Sequence, residues 1–336
     1  MNTPRTIILV HPGGLGDLLL AVPAIRLLRE RFPDHQLLLC GHGETVELLT
    51  ACRLVDRWIS AQTTACTGLF SGTPPDDPLL KDWLGRCDVA VAWTSDGNGA
   101  LAAALRQSGA VEAVVQSPFA STLRSIHQSE RFIEIVCSEA GPVSIAPLPL
   151  PAELRVQAEG YFLDRRICSK RPVAMVHPGS GSWHKCVKAE ILVPVIEALE
   201  REGREPIILE GPADHEMVER LLIQIPRPPI VVRDLPLSVL AGLLSQVDLF
   251  LGQDSGVTHL AAVLGTPTVA LFGPTDPRRW APKGPAVIVV NEKPCACVSS
   301  DMVKSCSDKP CLTFEPATIL DACRTARSLA LTPRIY

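Results

Sequence analysis

Residues 248–277, DLFLGQDSGVTHLAAVLGTPTVALFGPTDP, decide how this chain folds. Leu249 to Leu251 is a short apolar run of the kind buried as a parallel strand, and Gly252 to Gly256 is a polar, Gly-rich turn. A compact helix follows. Gly265 ends it, and Pro267 precedes a second apolar strand, Val269 to Phe272. At the start of such a helix the first backbone N–H groups have no partner within the helix, and they favour an anion such as a diphosphate. Asp254 and Ser255 are placed to cap the helix, and His259 falls about one turn in, able to face the same mouth. The same residues also suit a βαβ unit whose Asp is only a cap and whose His is only buried. Sequence geometry leaves both readings open.

Working outward, the same strand–helix alternation runs through the chain. In the first half Thr6 to Val10, Gln36 to Cys40, Val89 to Trp93 and Val111 to Gln116 read as strands. Leu18 to Arg31, Glu44 to Cys52 and Ala100 to Ser108 read as helices, and Thr63 to Pro78, rich in Thr, Gly and Pro, as a loose segment. GPVSIAPLPLP, residues 141–151, alternates prolines that cannot continue a helix or a central strand, so it reads as a link. A second series then begins. Val173 to Val176, Glu205 to Leu209, Ile230 to Val232 and Ala286 to Val290 are its other strands, and Lys188 to Glu202 and His215 to Gln224 its helices. The reading is an α/β chain of two Rossmann-like, doubly wound domains, residues 1–150 and 151–336, with ligands expected beyond the carboxyl ends of the strands in a cleft between them.

A chain of 336 residues, 46% hydrophobic, suits two domains of ordinary size. Its 32 basic and 36 acidic residues leave a formal charge of −4, which speaks against general nucleic-acid binding. No run approaches the roughly eighteen apolar residues of a membrane span. The apolar run in MNTPRTIILVHPGG is too short for a signal peptide, which places the chain in the cytoplasm. Of the twelve cysteines, Cys40, Cys52, Cys87, Cys137 and Cys168 are scattered among strand-like and helix-like segments, where a free thiol acts as a small hydrophobe.

Three Gly-rich turns carry the candidate chemistry. In His11-Pro-Gly-Gly-Leu-Gly-Asp17, Gly14 and Gly16 allow close approach and deliver the Asp17 carboxylate, which would otherwise simply cap the helix from Leu18. It is not a dinucleotide fingerprint, because Leu19 stands at the third glycine position. In His177-Pro-Gly-Ser-Gly-Ser-Trp-His-Lys185, small residues around Ser180 can turn N–H and hydroxyl groups toward phosphate oxygens. Lys185 adds a mobile cation, unless it is only a solvated loop lysine. The third turn is Gly252 to Gly256. Cys295, Cys297, Cys306 and Cys311 share one loop and form a candidate zinc set, although CxC…CxxxxC is not a standard zinc pair; reduced loop thiols are the other reading.

The patterns G-x-G-D-x-L-x-x-x-P-A-I at residues 14–25, H-P-G-S-G-S-x-x-K at 177–185 and D-S-G-x-x-H-L-A-A-x-x-G-T-P-x-x-A-L-F-G-P-T-D-P at 254–277 resemble glycosyltransferase family 9, the heptosyltransferases. The resemblance runs in order through most of the chain. It implies a GT-B fold and an inverting, metal-independent transfer, with no cofactor, from ADP-heptose to the lipopolysaccharide inner core. Asp17 would be the general base. Lys185 and the Ser180 turn would contact the donor diphosphate, and Asp254, Ser255 and Gly256 would line its sugar end with His259 behind. The turn Gly211-Pro-Ala-Asp214 would place Asp214 on the ribose, and the C-terminal helix, Pro316 to Leu331, would return to the first domain. One departure stands out: the aromatic-Pro pair usual after the lysine is Cys186-Val187 here.

The acceptor would be Kdo-lipid A or a core oligosaccharide, reached through peripheral contact with the inner membrane; Arg124, His127 and Arg131 are candidate contacts for its acidic groups, with plain solvated surface as the safer reading. Other readings keep the fold and change the sugar or the acceptor, or make the chain a non-catalytic nucleotide-sugar binder. A dehydrogenase is disfavoured by Leu19, and a silent module by the joint presence of Asp17, Lys185 and Asp254.

Overall fold

In a computed structural model, residues 3–119, 126–139, 145–165, 167, 171–297 and 299–331 are described. The chain divides into two compact units, Met1–Ser144 and Ile145–Tyr336, a division that falls inside the Pro-rich link. Each unit is an α/β layer structure on a wholly parallel sheet.

The first sheet contains β1 (Thr6–Val10), β2 (Gln36–Gly41), β3 (Arg57–Ser60), β4 (Cys87–Ala92) and β5 (Glu112–Val115), in the order β3-β2-β1-β4-β5. Every residue of β1 is buried, as expected of a central parallel strand covered on both faces. Ile8, Val10, Leu38, Cys40 and Ala90 of the central strands form one side of a core closed by Leu80, Trp83, Leu101 and Leu105 from the helices.

The second sheet contains β6 (Val173–His177), β7 (Glu205–Glu210), β8 (Ile230–Arg233), β9 (Leu249–Gln253), β10 (Thr268–Leu271) and β11 (Val287–Val290), in the order β11-β10-β9-β6-β7-β8. The 248–277 segment forms β9, the helix Gly256–Val263 and β10, with Leu264 as C-cap. Gly265 follows at φ 85°, a left-handed position that a β-carbon would strain, so the helix stops where the sequence said it would.

The structure departs from the expectations in several places. Thr63 to Pro78 is not loose throughout: it holds the helix Thr64–Phe70, capped by Thr63 accepting from the Cys66 N–H, and leads into Pro78–Gly85, capped by Asp77 accepting from the Leu80 N–H. The caps are legible, but the Gly and Pro content hid them. The strand β3 was missed because it is a four-residue edge strand with one buried side chain. The helix Ala152–Asp164 was missed because only Ala158 of it is buried, so no apolar stripe marks it. It lies close against the helix Leu237–Leu244, where a β-carbon on Gly242 would sit 2.3 Å from the Leu154 carbonyl oxygen.

The C-terminal helix requires a correction. Pro316–Leu331 buries Ile319, Ala322, Cys323 and Ala326 in the core of the second unit, against Ala189–Arg201, β9, β10 and β11. Its apolar stripe is used there, which corrects the expected return to the first domain.

Candidate active site

The order of the second sheet places β6 beside β9, although some seventy residues separate them in sequence; His177 stands in register with Gly252. Chain connections leave this pair toward opposite edges of the sheet, so the turns after β6 and β9 flank the switch-point crevice where α/β sheets bind ligands. Two of the three Gly-rich turns are therefore neighbours. The Ser180 hydroxyl donates to the Asp254 carbonyl oxygen at 2.7 Å, and Lys185 Nζ donates to Asp254 Oδ2 at 2.7 Å. Lys185 sits on a short 3₁₀ turn, Trp183–Lys185, and is no loose surface lysine. An ammonium has three donors, and this pairing occupies one of them.

Ser255, not Asp254, caps the helix Gly256–Val263, its Oγ accepting from the Thr258 N–H at 3.4 Å. Asp254 is thereby left to hold Lys185. Val187 N–H donates to Gln253 Oε1 at 3.3 Å, tying the far end of the first turn to β9. Gln253 and Thr258 were not singled out from sequence; their position inside the motif was the available signal. The departure at Cys186-Val187 borders a cavity of about 550 Å³ lined in part by Trp183, Cys186, Lys188, Met217, Arg220 and Lys309.

His259 is 5% exposed, behind the turn as expected. Burial drives its imidazole down to about 4 despite the attraction of Asp254, with Lys185 adding to the fall. His11 in the first unit is likewise held at about 4, mainly by burial. Both folded values lie below the ordinary 6.5, so as pH falls from about 6.5 toward 4 the unfolded chain takes up protons that the folded chain refuses. Stability is therefore expected to drop between pH 7 and pH 5 by about 2 kcal/mol for each ring. Urea unfolding of the parent and of His259→Asn measures it: the variant should show the shallower pH slope, and equal slopes would refute the assignment.

Asp214 stands at the start of the helix His215–Leu222, inside the loops that follow β6 and β7. It is 5% exposed, and its Oδ2 accepts from His177 Nε2 at 2.8 Å and from the Gly211 N–H at 3.0 Å. The short Asp side chain turns inward to the loops, where His177 and the Gly211 N–H hold it.

In the first unit the corresponding switch point lies between β1 and β4. The turn after β1 leads into the helix Leu15–Leu20, whose N-cap is Gly14 without a side-chain cap, and Asp17 lies in its first turn. Asp17 is thus not the cap of a helix from Leu18. Asp17 is half-buried there. His11 Nδ1 accepts from the Gly13 N–H at 3.1 Å, and the ring packs against Trp93 and Phe132 with centroid separations of 6.0 and 5.5 Å. The floor of the Asp17 turn is therefore aromatic and closed.

The two described candidate basic contacts are each engaged locally. Arg124 lies outside the described residues, His127 is buried and caps the helix Gln128–Val136, and Arg131 pairs with Glu134 at 2.9 Å. In the Cys-rich loop, Cys311 is buried, whereas Cys295, Cys297 and Cys306 are half-buried. Burial, then Cys295, pushes the Cys311 thiol up to about 12. The four thiols lie against one another, Cys297 beside Cys295 and Cys306, and Cys311 beside Cys295; among the described residues no group of three or more His, Cys, Asp or Glu side chains is arranged to hold a metal ion.

Residues 140–310, half of the chain, match the family model "Glycosyltransferase family 9 (heptosyltransferase)". The chain is 30% identical over 112 residues to lipopolysaccharide heptosyltransferase 3 of Escherichia coli, an alignment covering 32% of this chain and 33% of that relative. It shares its fold with the glycosyl transferase family 9 crystal structure from Veillonella parvula DSM 2008, with a TM-score of 0.78 at 19% identity over 98% of this chain and 99% of that one. E. coli ADP-heptose lps heptosyltransferase II gives a TM-score of 0.73 at 17% identity over 97% and 98%. The matched span contains both turns that meet at Asp254, and the parallel two-sheet α/β fold agrees in both units: the chain belongs to glycosyltransferase family 9, the heptosyltransferase family.

Proposed function

We propose that this glycosyltransferase moves heptose from ADP-heptose to a hydroxyl of the lipopolysaccharide inner core, with inversion at the anomeric carbon. The observation that carries the reading is the joining of Ser180, Lys185 and Asp254 at the switch point of the second sheet, through two hydrogen bonds of 2.7 Å. Such a site presents a cation, a hydroxyl turn and the N–H groups of the helix Gly256–Val263 to one anion. The names of the relatives, one a lipopolysaccharide heptosyltransferase and one an ADP-heptose enzyme, support the same donor and acceptor.

In this reading Asp17 takes the proton from the acceptor hydroxyl as its oxygen attacks the anomeric carbon. The bond from that carbon to the ADP oxygen breaks on the opposite face. Negative charge grows on the departing diphosphate, and Lys185 and the helix N–H groups stabilise it more in the transition state than in the ground state. Gly14 and Gly16 leave room for the acceptor beside Asp17, while Asp254, Ser255 and Gly256 line the sugar end with the neutral His259 behind. Among the described residues no helix is long and apolar enough to cross a membrane. The proposal includes a cytoplasmic enzyme that visits a lipid-borne acceptor at the inner membrane face.

Calorimetric titration with ADP, UDP and GDP, followed by transfer from ADP-heptose to Kdo-lipid A, tests the proposal. ADP selectivity with transfer is expected. Selectivity for another nucleotide would discard heptose as the sugar while leaving the family in place.

A further inference from the structure

The residues proposed to touch the donor rest on a buried polar pair that this mechanism has not used. Asp214 Oδ2 accepts from His177 Nε2 at 2.8 Å and from the Gly211 N–H at 3.0 Å, with His177 and Asp214 only 3% and 5% exposed. A carboxylate receiving two N–H groups acts as an acceptor, so the His177 proton is held on Nε2. On the other side of the ring, Nδ1 lies 3.4 Å from Ser255 Oγ. Ser255 in turn accepts from the Thr258 N–H and lies 3.1 Å from Thr258 Oγ1, which donates to the Gln253 carbonyl at 2.5 Å. A single chain of polar contacts therefore crosses the ends of β7, β6 and β9 and finishes at the first turn of the helix Gly256–Val263.

The fit around the carboxylate is close. A β-carbon on Gly179 would sit 1.9 Å from Asp214 Oδ1, and one on Gly211 would sit 2.6 Å from Oδ2. Both loops thus close onto Asp214 at distances that only glycine permits. Gly179 immediately precedes Ser180, whose hydroxyl binds the Asp254 carbonyl. Asp214 therefore presses on one of the diphosphate-facing turns directly and reaches the other through His177 and Ser255.

We propose that His177 and Asp214 are positioning residues which hold the Gly179–Ser180 turn and the start of the helix Gly256–Val263 in the placement that the donor diphosphate requires. Neither touches the substrate; both act through Ser180 and Ser255. The inference rests on the ADP-donor reading above, and it adds that the inward turn of Asp214 is functional. A pair held in low dielectric, with each ring nitrogen assigned a partner, resists rotation of the imidazole and so keeps the two turns at fixed spacing.

The test uses the full chain with His177→Phe, Asp214→Ala and Asp214→Asn. Nitrogen-15 NMR of the histidine rings reads the pair without substrate: a protonated Nε2 bonded to Asp214 should appear in the parent and in Asp214→Asn, and vanish in the other two. Calorimetry with ADP should show affinity about tenfold weaker in His177→Phe and Asp214→Ala, with the donor KM rising in parallel and the acceptor KM unchanged. In Asp214→Asn, whose amide oxygen still accepts both N–H groups, ADP affinity should return to within about threefold of the parent. A purely structural pair would lower the unfolding midpoint of the variants but leave ADP affinity of the folded protein intact, and that result overturns the proposal. An unprotonated Nε2 in the parent overturns it as well. If the parent itself binds no ADP, the donor reading fails and the positioning role falls with it, whatever the ring signals show.

Discussion

Asp17→Asn should lower kcat by about 10²- to 10⁴-fold while leaving ADP affinity within about twofold of the parent. The substitution keeps the size and shape of the side chain and removes only its capacity to accept a proton. Asp17 belongs to the first unit, on the helix Leu15–Leu20, whereas the proposed diphosphate contacts all belong to the second. Its helix is capped by the Gly14 backbone and not by its own side chain, so the substitution leaves the helix start in place. Steady-state transfer kinetics set beside calorimetry separate the outcomes. Equal loss of turnover and of ADP affinity would make Asp17 a structural residue, and turnover within a few fold of the parent would remove it from the role of base.

Lys185→Ala should weaken ADP binding about 10- to 100-fold, the loss expected when a charge-assisted hydrogen bond to the diphosphate is removed. The effect has a second source. Asp254 is only 8% exposed, and Lys185 is the cation at 2.7 Å from its Oδ2. Without that cation a largely buried carboxylate faces the phosphates, and like charges repel. The double variant Lys185→Ala with Asp254→Asn should therefore recover part of the ADP affinity that the single variant loses. Direct titration decides the matter: unchanged ADP affinity in Lys185→Ala would end its assignment to the diphosphate, and no recovery in the double variant would show that the two side chains act independently.

Much of the second unit could be read from 248–277. The buried strand, the Gly-rich turn, the helix and its stop at Gly265 followed from apolar runs and from the few residues that tolerate a left-handed turn. These are local properties, decided within a few residues. What escaped were elements whose burial is slight. The helix Ala152–Asp164 hides only Ala158, and Arg57–Ser60 only Ile59, so neither shows the periodic apolar face on which a sequence reading depends. Arg131 read as an available cation because charge in a sequence carries no partner with it, and its partner is Glu134.

By itself, then, the sequence determined the α/β class, the two βα series, the link at 141–151, and the three turns in which Asp17, Ser180, Lys185 and Asp254 stand. It also carried the family, through motifs whose order and spacing are local and linear. Only the tertiary structure decided which residues meet. Sheet order made β6 and β9 neighbours, so Lys185 reached Asp254 across 69 positions and His177 reached Asp214 across 37. It turned Asp214 inward, made Ser255 rather than Asp254 the cap, and spent the stripe of the last helix on the core of the second unit. The physical reason is common to all of these. Hydrogen bonds and burial act over a few ångströms in space, and which distant residues come that close is set by the crossover order of the parallel strands.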